Sequence, residues 1–149
     1  MQSMILEDKP LLKLNEGDNT PPSKLFILDF EVSQLGSRSQ DLAQCLAELY
    51  MVHHFFGATA PLQVMHGFVD SYFASQRKAG KLSKGDTALA LQIAMHFGIH
   101  IVVIPWRYGW PKGDKLVECI RFGNDCLVHG YEGQADWFKD GPLAFLFST

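Results

Sequence analysis

The spacing of apolar positions divides the chain into a strand-like beginning and a helical remainder. Apolar runs at residues 4–6, 11–14 and 25–30 are separated by segments rich in Gly, Asn, Asp and Pro, which are typical of turns. From about residue 39 the apolar positions recur every three or four residues, as on one face of an amphipathic helix. The pattern predicts an α+β fold that is predominantly α-helical, with a small N-terminal β-hairpin or three-strand piece before four or five helices.

Capping residues and helix breakers indicate where the helices begin and end. The first helix is predicted to start with Ser39 as its N-cap. Pro61 suits the first turn of the second helix, and a third should begin near Asp86. Residues 115–131 form another amphipathic pattern, which Gly123 is expected to interrupt.

The segment "IHIVVIPWRYGW" is ambiguous over residues 99–106. Its β-branched residues favour a strand, while periodicity cannot decide for so short an apolar run. A single late strand would lack a partner, so we predict a helix that Pro105 and Gly109 end. The last apolar segment, "ADWFKDGPLAFLF", predicts a short closing helix and an apolar tail.

Composition indicates a packed domain with no affinity for polyanions. The chain has 149 residues, which suits one domain, with 47% apolar and 19% charged residues. Its formal net charge of -3 provides no basic patch, so we expect neither nucleic acid nor a membrane as a partner. The longest apolar run, residues 99–106, is too short to span a bilayer.

Cysteine and histidine positions predict a cytoplasmic protein without a zinc site. The three cysteines, Cys45, Cys119 and Cys126, lack metal-type spacing, and an odd number is typical of reduced thiols. The histidines show no ligand spacing with acids or thiols. No signal pattern is expected at the N-terminus, where three charged residues fall within the first ten.

An acidic pair follows the last predicted strand in "ILDFE". Asp29 and Glu31 are two residues apart and so lie on the same side of an extended chain. Mg²⁺ takes hard oxygen ligands and is typically held by one or two carboxylates together with substrate phosphates. The pair is therefore a candidate metal site; the alternative is an acidic strand end that only caps the following turn.

The surrounding segment, "LFILDFEVSQLGSRSQDLAQCLAELY", resembles the aminoglycoside phosphotransferase and choline kinase group of small-molecule kinases. The resemblance covers roughly residues 4–145 and is most specific at residues 25–50. It implies the C-terminal lobe of a protein-kinase-like fold. In that lobe Asp29, with Glu31 as a further candidate, would bind the Mg²⁺ of ATP, Gly36 would be the loop glycine, and Asp41 would be a structural residue at the helix start.

The chain differs from that group in the sequence patterns needed for catalysis. The group carries an "HGDxxxxN" catalytic loop and an ATP-binding lobe with a glycine-rich loop, and neither pattern occurs in these 149 residues. The resemblance therefore implies a single partial domain, with strand residues 1–31 and a helical subdomain at 37–149. It would be the truncated, C-terminal part of an ATP-dependent phosphotransferase acting on a small hydroxyl acceptor, inactive alone.

Two other function classes stay open. One is a non-catalytic kinase-like remnant that acts as a binding or interaction module, and the other is an unrelated α+β domain whose acidic strand end is coincidental. If a partner lobe is missing, the residues that faced it would form an exposed apolar face, so we expect self-association.

The remaining candidate residues each have a simpler interpretation. Asp41 could only complement the helix dipole. Glu48 and His53 are candidates to line a substrate cleft, or are solvated. Trp106, with Tyr108 and Trp110, would form either an aromatic wall for a cationic or ring substrate or a hydrophobic corner.

Overall fold

The structure of this protein is a computed structural model. Contacts within the chain divide it into two units, Met1–Leu35 and Gly36–Thr149. The described residues of the first unit form two short strands, and those of the second form the helices. The structure describes residues 4–6, 25–27, 36–81 and 86–148.

Strand pairing in the first unit is antiparallel. Strand β1 (Met4–Leu6) pairs with β2 (Leu25–Ile27), and Ile5 lies opposite Phe26 at the centre of the ladder. The predicted third strand at residues 11–14 lies outside the described residues.

Helices make up most of the second unit. The prediction of a predominantly α-helical fold is confirmed for its described residues. The elements in chain order are α1 (Arg38–Phe56), α2 (Ala60–Lys78), α3 (Thr87–Arg107), α4 (Asp114–Tyr131) and two short 3₁₀ helices, Ala135–Asp140 and Ala144–Leu146.

The first helix begins two residues earlier than its sequence indicates. Ser37, in an extended conformation, occupies the N-cap position, so the prediction of Ser39 as the N-cap is wrong. Ser39 lies inside the first turn, fully buried, and its hydroxyl is 2.5 Å from that of Ser37. At the other end Gly57 adopts a left-handed conformation (φ 71°) and its N–H donates to the His53 carbonyl, a termination that glycine makes without a Cβ clash.

Local signals start both α2 and α3 as the sequence predicts. Pro61 lies in the first turn of α2, where its missing N–H costs no helical hydrogen bond. The Asp86 carboxylate accepts a hydrogen bond from the Leu89 N–H at 3.1 Å and so caps α3.

The ambiguous segment 99–106 is helical and completes α3, which confirms the helical prediction. Pro105 lies inside the last turn, because α3 continues to Arg107; the expectation that Pro105 ends the element is wrong. A proline has no N–H to donate to the carbonyl four residues earlier, here that of Ile101. The Cys119 thiol of α4 contacts this carbonyl at 3.7 Å and acts as a weak substitute donor.

Packing explains part of the apolar composition of α3. By length and composition alone, with a mean hydropathy of 1.8 over an 18-residue window, this 21-residue helix could cross a membrane. In the structure it packs against both α1 and α4. Its side chains Ile93, Phe97 and Ile101 are completely buried in the core.

Helices α3 and α4 approach backbone to backbone at two glycines. A Cβ on Gly98 would lie 2.5 Å from the Gly123 carbonyl oxygen, and a Cβ on Gly123 would lie 2.9 Å from the Gly98 carbonyl oxygen. No side chain fits at such separations. The prediction that Gly123 interrupts the helix is therefore wrong: α4 is continuous, and this glycine allows the close contact.

The C-terminal 3₁₀ segments complete the hydrophobic core. The first contacts α4 and the second contacts α2. Phe138 is buried and stacks on Phe147 with the ring centroids 4.8 Å apart. The predicted short closing helix and apolar tail correspond to this segment, whose other buried side chains are Leu143, Phe145 and Leu146.

Alanine substitutions at three helical glycines test the close contact between α3 and α4. Gly98→Ala and Gly123→Ala should each lower the free energy of unfolding by about 1–3 kcal/mol, because the added methyl group forces the helices apart. Gly67→Ala in α2 is the matched control: no atom lies within 4 Å of the position its Cβ would take. It should raise the free energy of unfolding by about 0.5–1 kcal/mol through helix propensity. Urea denaturation followed by circular dichroism measures all three, and stabilisation by Gly98→Ala would contradict the contact.

Candidate functional site

The acidic strand end that carries the metal-site prediction lies outside the described residues. Asp29 and Glu31 fall within residues 28–35, so their geometry stays a prediction. Among residues 36–81 and 86–148, no group of three or more His, Cys, Asp and Glu side chains could hold a metal ion. The acidic pair therefore stays the candidate metal site that the sequence predicts.

Two further residues of the motif lie at the start of the helical unit. Gly36 is exposed and precedes α1, with open space around the position a Cβ would take. Asp41 lies in the first turn of α1 with an exposed side chain. A carboxylate there interacts favourably with the positive end of the helix dipole, which is the simpler of its two predicted roles.

Glu48 forms a hydrogen bond that joins α1 to α3. Its carboxylate lies 2.9 Å from Nε2 of His100, and the side chains of His100 and Glu48 are 12% and 37% exposed. The imidazole N–H donates and the carboxylate accepts. His100 was not a candidate from sequence, because 52 positions separate it from Glu48 and only the packing of two helices brings them together.

All three thiols have a raised pKa. Burial, together with the negative charge of Glu48, raises the pKa of the Cys45 thiol. Burial raises the pKa of Cys119 to about 11. Burial and the charge of Asp125 raise the pKa of Cys126 still further. Since the thiolate is the nucleophile, none of these residues is an activated cysteine.

The adjacent histidines of α1 make contacts to backbone carbonyls. His53 donates from Nδ1 to the Ala58 carbonyl at 2.7 Å, closing the loop after the helix. His54 donates from Nε2 to the Lys115 carbonyl at 2.7 Å, and the Lys115 ammonium donates to the Phe55 carbonyl at 2.9 Å. These reciprocal bonds join α1 to α4. His53, a candidate to line a substrate cleft, is therefore bonded through Nδ1 to a backbone carbonyl.

The predicted aromatic wall is divided between two environments. Trp110 packs against Phe55 and Phe56, with ring centroids 5.3 and 5.7 Å away, in a hydrophobic corner. Trp106 is 70% exposed, and the Lys112 ammonium lies 5.6 Å from its ring centroid. Tyr108 is also exposed.

A cleft near the C-terminus is a concave feature that the sequence analysis did not identify. It has a volume of about 320 Å³ and is lined by Phe122 of α4, the adjacent pair Trp137 and Phe138, and residues 140–143. The local signal is an aromatic pair followed by "KDGP". That signal could not reveal a cleft, because Phe122 reaches it only through tertiary packing.

Comparison with known proteins indicates a kinase-like protein. A 4-hydroxytryptamine kinase from Psilocybe cubensis is 27% identical to this chain over 85 residues, which are 57% of this chain and 24% of that kinase. No protein-family model matches the chain, and no solved structure matches it. The chain is therefore a distant and partial homologue of a kinase, and it spans well under two thirds of that protein's length.

Alkylation of the native chain tests the environments of the thiols. At pH 8, Cys45 should react with iodoacetamide before the two buried thiols, Cys119 and Cys126, which should react only after unfolding. Because the pKa of Cys45 is raised, its rate should increase as the pH rises towards that pKa. Glu48→Gln removes the nearby negative charge while keeping a hydrogen-bond acceptor for His100, so it should speed alkylation of Cys45 at fixed pH.

Peptide mass spectrometry identifies the alkylated residue in each sample. Asp70→Asn, which removes an exposed carboxylate from α2, is the control and should leave the rate at Cys45 unchanged. Equal acceleration by Asp70→Asn and Glu48→Gln would show that net charge, and not the neighbouring carboxylate, sets the reactivity.

Proposed function

We propose that this chain is the C-terminal part of an ATP-dependent small-molecule phosphotransferase related to the aminoglycoside phosphotransferase and choline kinase group. The observation that carries the proposal is its similarity to a kinase over 85 residues. The motif "LDFE", followed by a glycine loop and the "DLA" helix start, adds support from the sequence. The coarser class, a kinase-like protein, rests on the similarity alone.

The acidic pair would bind the metal in this proposal. Asp29, with Glu31 as a second candidate, provides carboxylate oxygens of the kind that Mg²⁺ prefers, and ATP phosphates would complete the coordination. The bound Mg²⁺ would neutralise charge on the phosphates during transfer of the γ-phosphoryl group. The described helices provide a packed base in which α1, the continuation of the motif, is held against α3 by the Glu48–His100 bond.

The phosphoryl acceptor in this proposal is a small molecule with a hydroxyl group. The kinase that the chain resembles is named for a hydroxylated tryptamine, so an aromatic alcohol of that kind is the first acceptor to test. Catalysis of phosphoryl transfer is mostly positioning and charge stabilisation. These 149 residues contain no His-Gly-Asp segment and no glycine-rich phosphate loop, so we expect them to catalyse no transfer by themselves.

Binding of Mg-ATP tests the role of Asp29. The 149-residue chain should bind Mg-ATP weakly, with a Kd of about 1 mM or above, because two carboxylates provide few fixed contacts. Asp29→Asn should abolish this binding, whereas Asp41→Asn, a change at the exposed first-turn carboxylate, should leave it unchanged. Isothermal titration calorimetry measures binding, and an assay for ADP with 4-hydroxytryptamine as acceptor measures turnover.

Two outcomes would contradict the proposal. Tight Mg-ATP binding that survives Asp29→Asn would show that the nucleotide site lies elsewhere. Phosphoryl transfer by the 149-residue chain alone would show that it is not an incomplete kinase. The genomic sequence upstream of the first codon is a separate test, since an in-frame His-Gly-Asp segment would favour the enzyme over a non-catalytic remnant.

A non-catalytic interaction module is the second candidate, and an exposed apolar row on α3 favours it. Ile99, Val103 and Trp106 are 45%, 49% and 70% exposed. Their spacing places them on one face of the helix, away from its buried positions. Exposed apolar surface of this kind tends to associate, so in this proposal the row binds a second copy of the chain.

Analytical ultracentrifugation tests whether the row on α3 mediates association. The wild-type chain should show association that increases with concentration, and Val103→Glu should reduce it by placing a charge in the contact. Val117→Glu is the matched control, because Val117 is 46% exposed but lies on α4. A wild-type chain that stays monomeric at every concentration would contradict self-association.

A further inference from the structure

Helix α4 carries a regular repeat on the side that faces away from α3. Its contact with α3 runs through Gly123, and the other buried residues on that side are Leu116, Cys119, Cys126 and Gly130. On the opposite side, exposed residues recur at alternating spacings of four and three positions, namely Val117, Arg121, Asn124, Val128 and Tyr131. We call these residues the outer seam of α4.

The apolar members of the outer seam are exposed. Val117, Val128 and Tyr131 are 46%, 52% and 83% exposed, and Tyr131 is the most exposed large hydrophobic side chain in the described part of the chain. Alternating spacings of three and four residues are those of the a and d positions in a coiled coil, where such side chains pack between those of a facing helix. The outer seam therefore has the pattern of a helix contact, while its apolar side chains remain open to solvent.

An acidic row lies beside the outer seam. Glu118, Asp125 and Glu132 are seven residues apart, and each directly follows a seam residue, which is the e position of a heptad. All three side chains are exposed. Among the described residues neither Glu118 nor Asp125 forms an ion pair, and Glu132 accepts a hydrogen bond from the Gln134 side chain.

Basic side chains of α4 leave the acidic row unpaired. The Lys115 ammonium group lies at α1, where it donates to the Phe55 carbonyl. Arg121 lies in the outer seam itself, and within the described ranges it forms no ion pair with the row. This side of α4 thus presents an apolar seam beside a row of carboxylates.

We propose that the outer face of α4, formed by the outer seam and the acidic row, binds a basic amphipathic helix of a partner protein. The apolar side chains of that helix would pack on Val117, Val128 and Tyr131, and its Lys or Arg side chains would pair with the acidic row. Arg121 and Asn124 would fix the register of the two helices, because polar seam residues select one alignment at a cost in affinity. A second copy of the chain fits this face less well, since an antiparallel pair would place the two acidic rows opposite each other.

The rest of the helical unit holds this face in place before a partner binds. The glycine contact fixes α4 on α3, and the reciprocal bonds of His54 and Lys115 join it to α1. Because α4 is already folded and packed, binding does not have to order it, which lowers the entropy cost of association. The proposal rests on α4 alone, so it survives a failure of Mg-ATP binding or of association through the row on α3.

Two synthetic peptides that differ only in the sign of their charges test the chemistry of the partner. Each has three heptads with Leu at a and d, and it carries either Lys or Glu at every e and g position. The like charges on each peptide disfavour pairing of the peptide with itself. Fluorescence anisotropy should show that the chain binds the Lys peptide about tenfold more tightly than the Glu peptide, because the acidic row attracts one and repels the other. Added salt should weaken binding of the Lys peptide.

Charge reversal in the acidic row tests its part in binding. The double variant Glu118→Lys with Asp125→Lys should weaken binding of the Lys peptide by about tenfold and strengthen binding of the Glu peptide. Asp70→Lys with Asp140→Lys changes the net charge by the same amount at exposed sites outside α4, and this control should stay within about twofold of wild type.

A substitution in the outer seam tests the apolar contact. Val128→Lys should weaken binding of the Lys peptide by about tenfold, because it places a repelling charge where an apolar side chain would be buried. Val103→Lys is the matched control, since Val103 is 49% exposed but lies on α3. In ¹H–¹⁵N NMR spectra the Lys peptide should shift the amide signals of Val117 and Val128 and leave that of Val103 unchanged.

Equal binding of the two peptides, amide shifts confined to residues outside α4, or a double reversal at Glu118 and Asp125 that weakens binding no more than its control would each overturn the proposal. If Val128→Lys unfolds the chain by circular dichroism, the double reversal at exposed side chains still decides the test. Self-association that falls in Val117→Glu would show that the outer face meets a second copy of the chain, and it would also overturn the proposal.

Discussion

The close contact between α3 and α4 is the constraint on which the rest of the helical unit depends. Because Gly98 and Gly123 have no side chains, the two backbones meet and the lengthwise position of one helix on the other is set. That position brings the Cys119 thiol to the carbonyl that Pro105 leaves without a donor. A break in helical hydrogen bonding within one helix is thus compensated by a group on its neighbour.

A series of contacts between aromatic rings runs from α1 through α3 and α4 to the C-terminal cleft. Tyr50 of α1 meets Phe97 of α3 at 5.4 Å, Phe97 meets Phe122 of α4 at 6.1 Å, and Phe122 meets Trp137 at 6.2 Å. Burial raises the pKa of the Tyr50 hydroxyl, so this residue stays neutral and acts as part of the core. The cleft at the far end of the series is therefore supported by the same packing that joins the helices.

The described part of the chain is better suited to support and binding than to chemistry. Its thiols are protonated, His53 and His54 bond to backbone carbonyls, and Glu48 bonds to a histidine of another helix. Within the described residues, no buried side-chain nitrogen or oxygen lacks a hydrogen-bond partner. In the proposed kinase, the reactive groups would belong to the acidic pair and to the ATP.

Much of the helical architecture could be predicted from sequence, because it depends on interactions within a few residues of each other. Pro61 and Asp86 mark helix starts through their own backbone and side-chain chemistry. The resemblance at residues 25–50 likewise comes from sequence, and similarity to a kinase supports its coarser class. The geometry of Asp29 and Glu31 lies outside the described residues and stays a prediction.

Tertiary structure decided the features whose partners are distant in sequence. The β-branched residues of segment 99–106 suit a strand or a helix, and burial between neighbouring helices selects the helix. The sequence predicts that Gly123 interrupts a helix. In the structure it lies against the carbonyl of Gly98, and its role is to allow that close contact. The partner of Glu48 and the cleft at Trp137 exist only where separate elements meet, so no local pattern could show them. Sequence determines local conformation through short-range sterics and hydrogen bonds, whereas only the packed fold determines which side chains become neighbours.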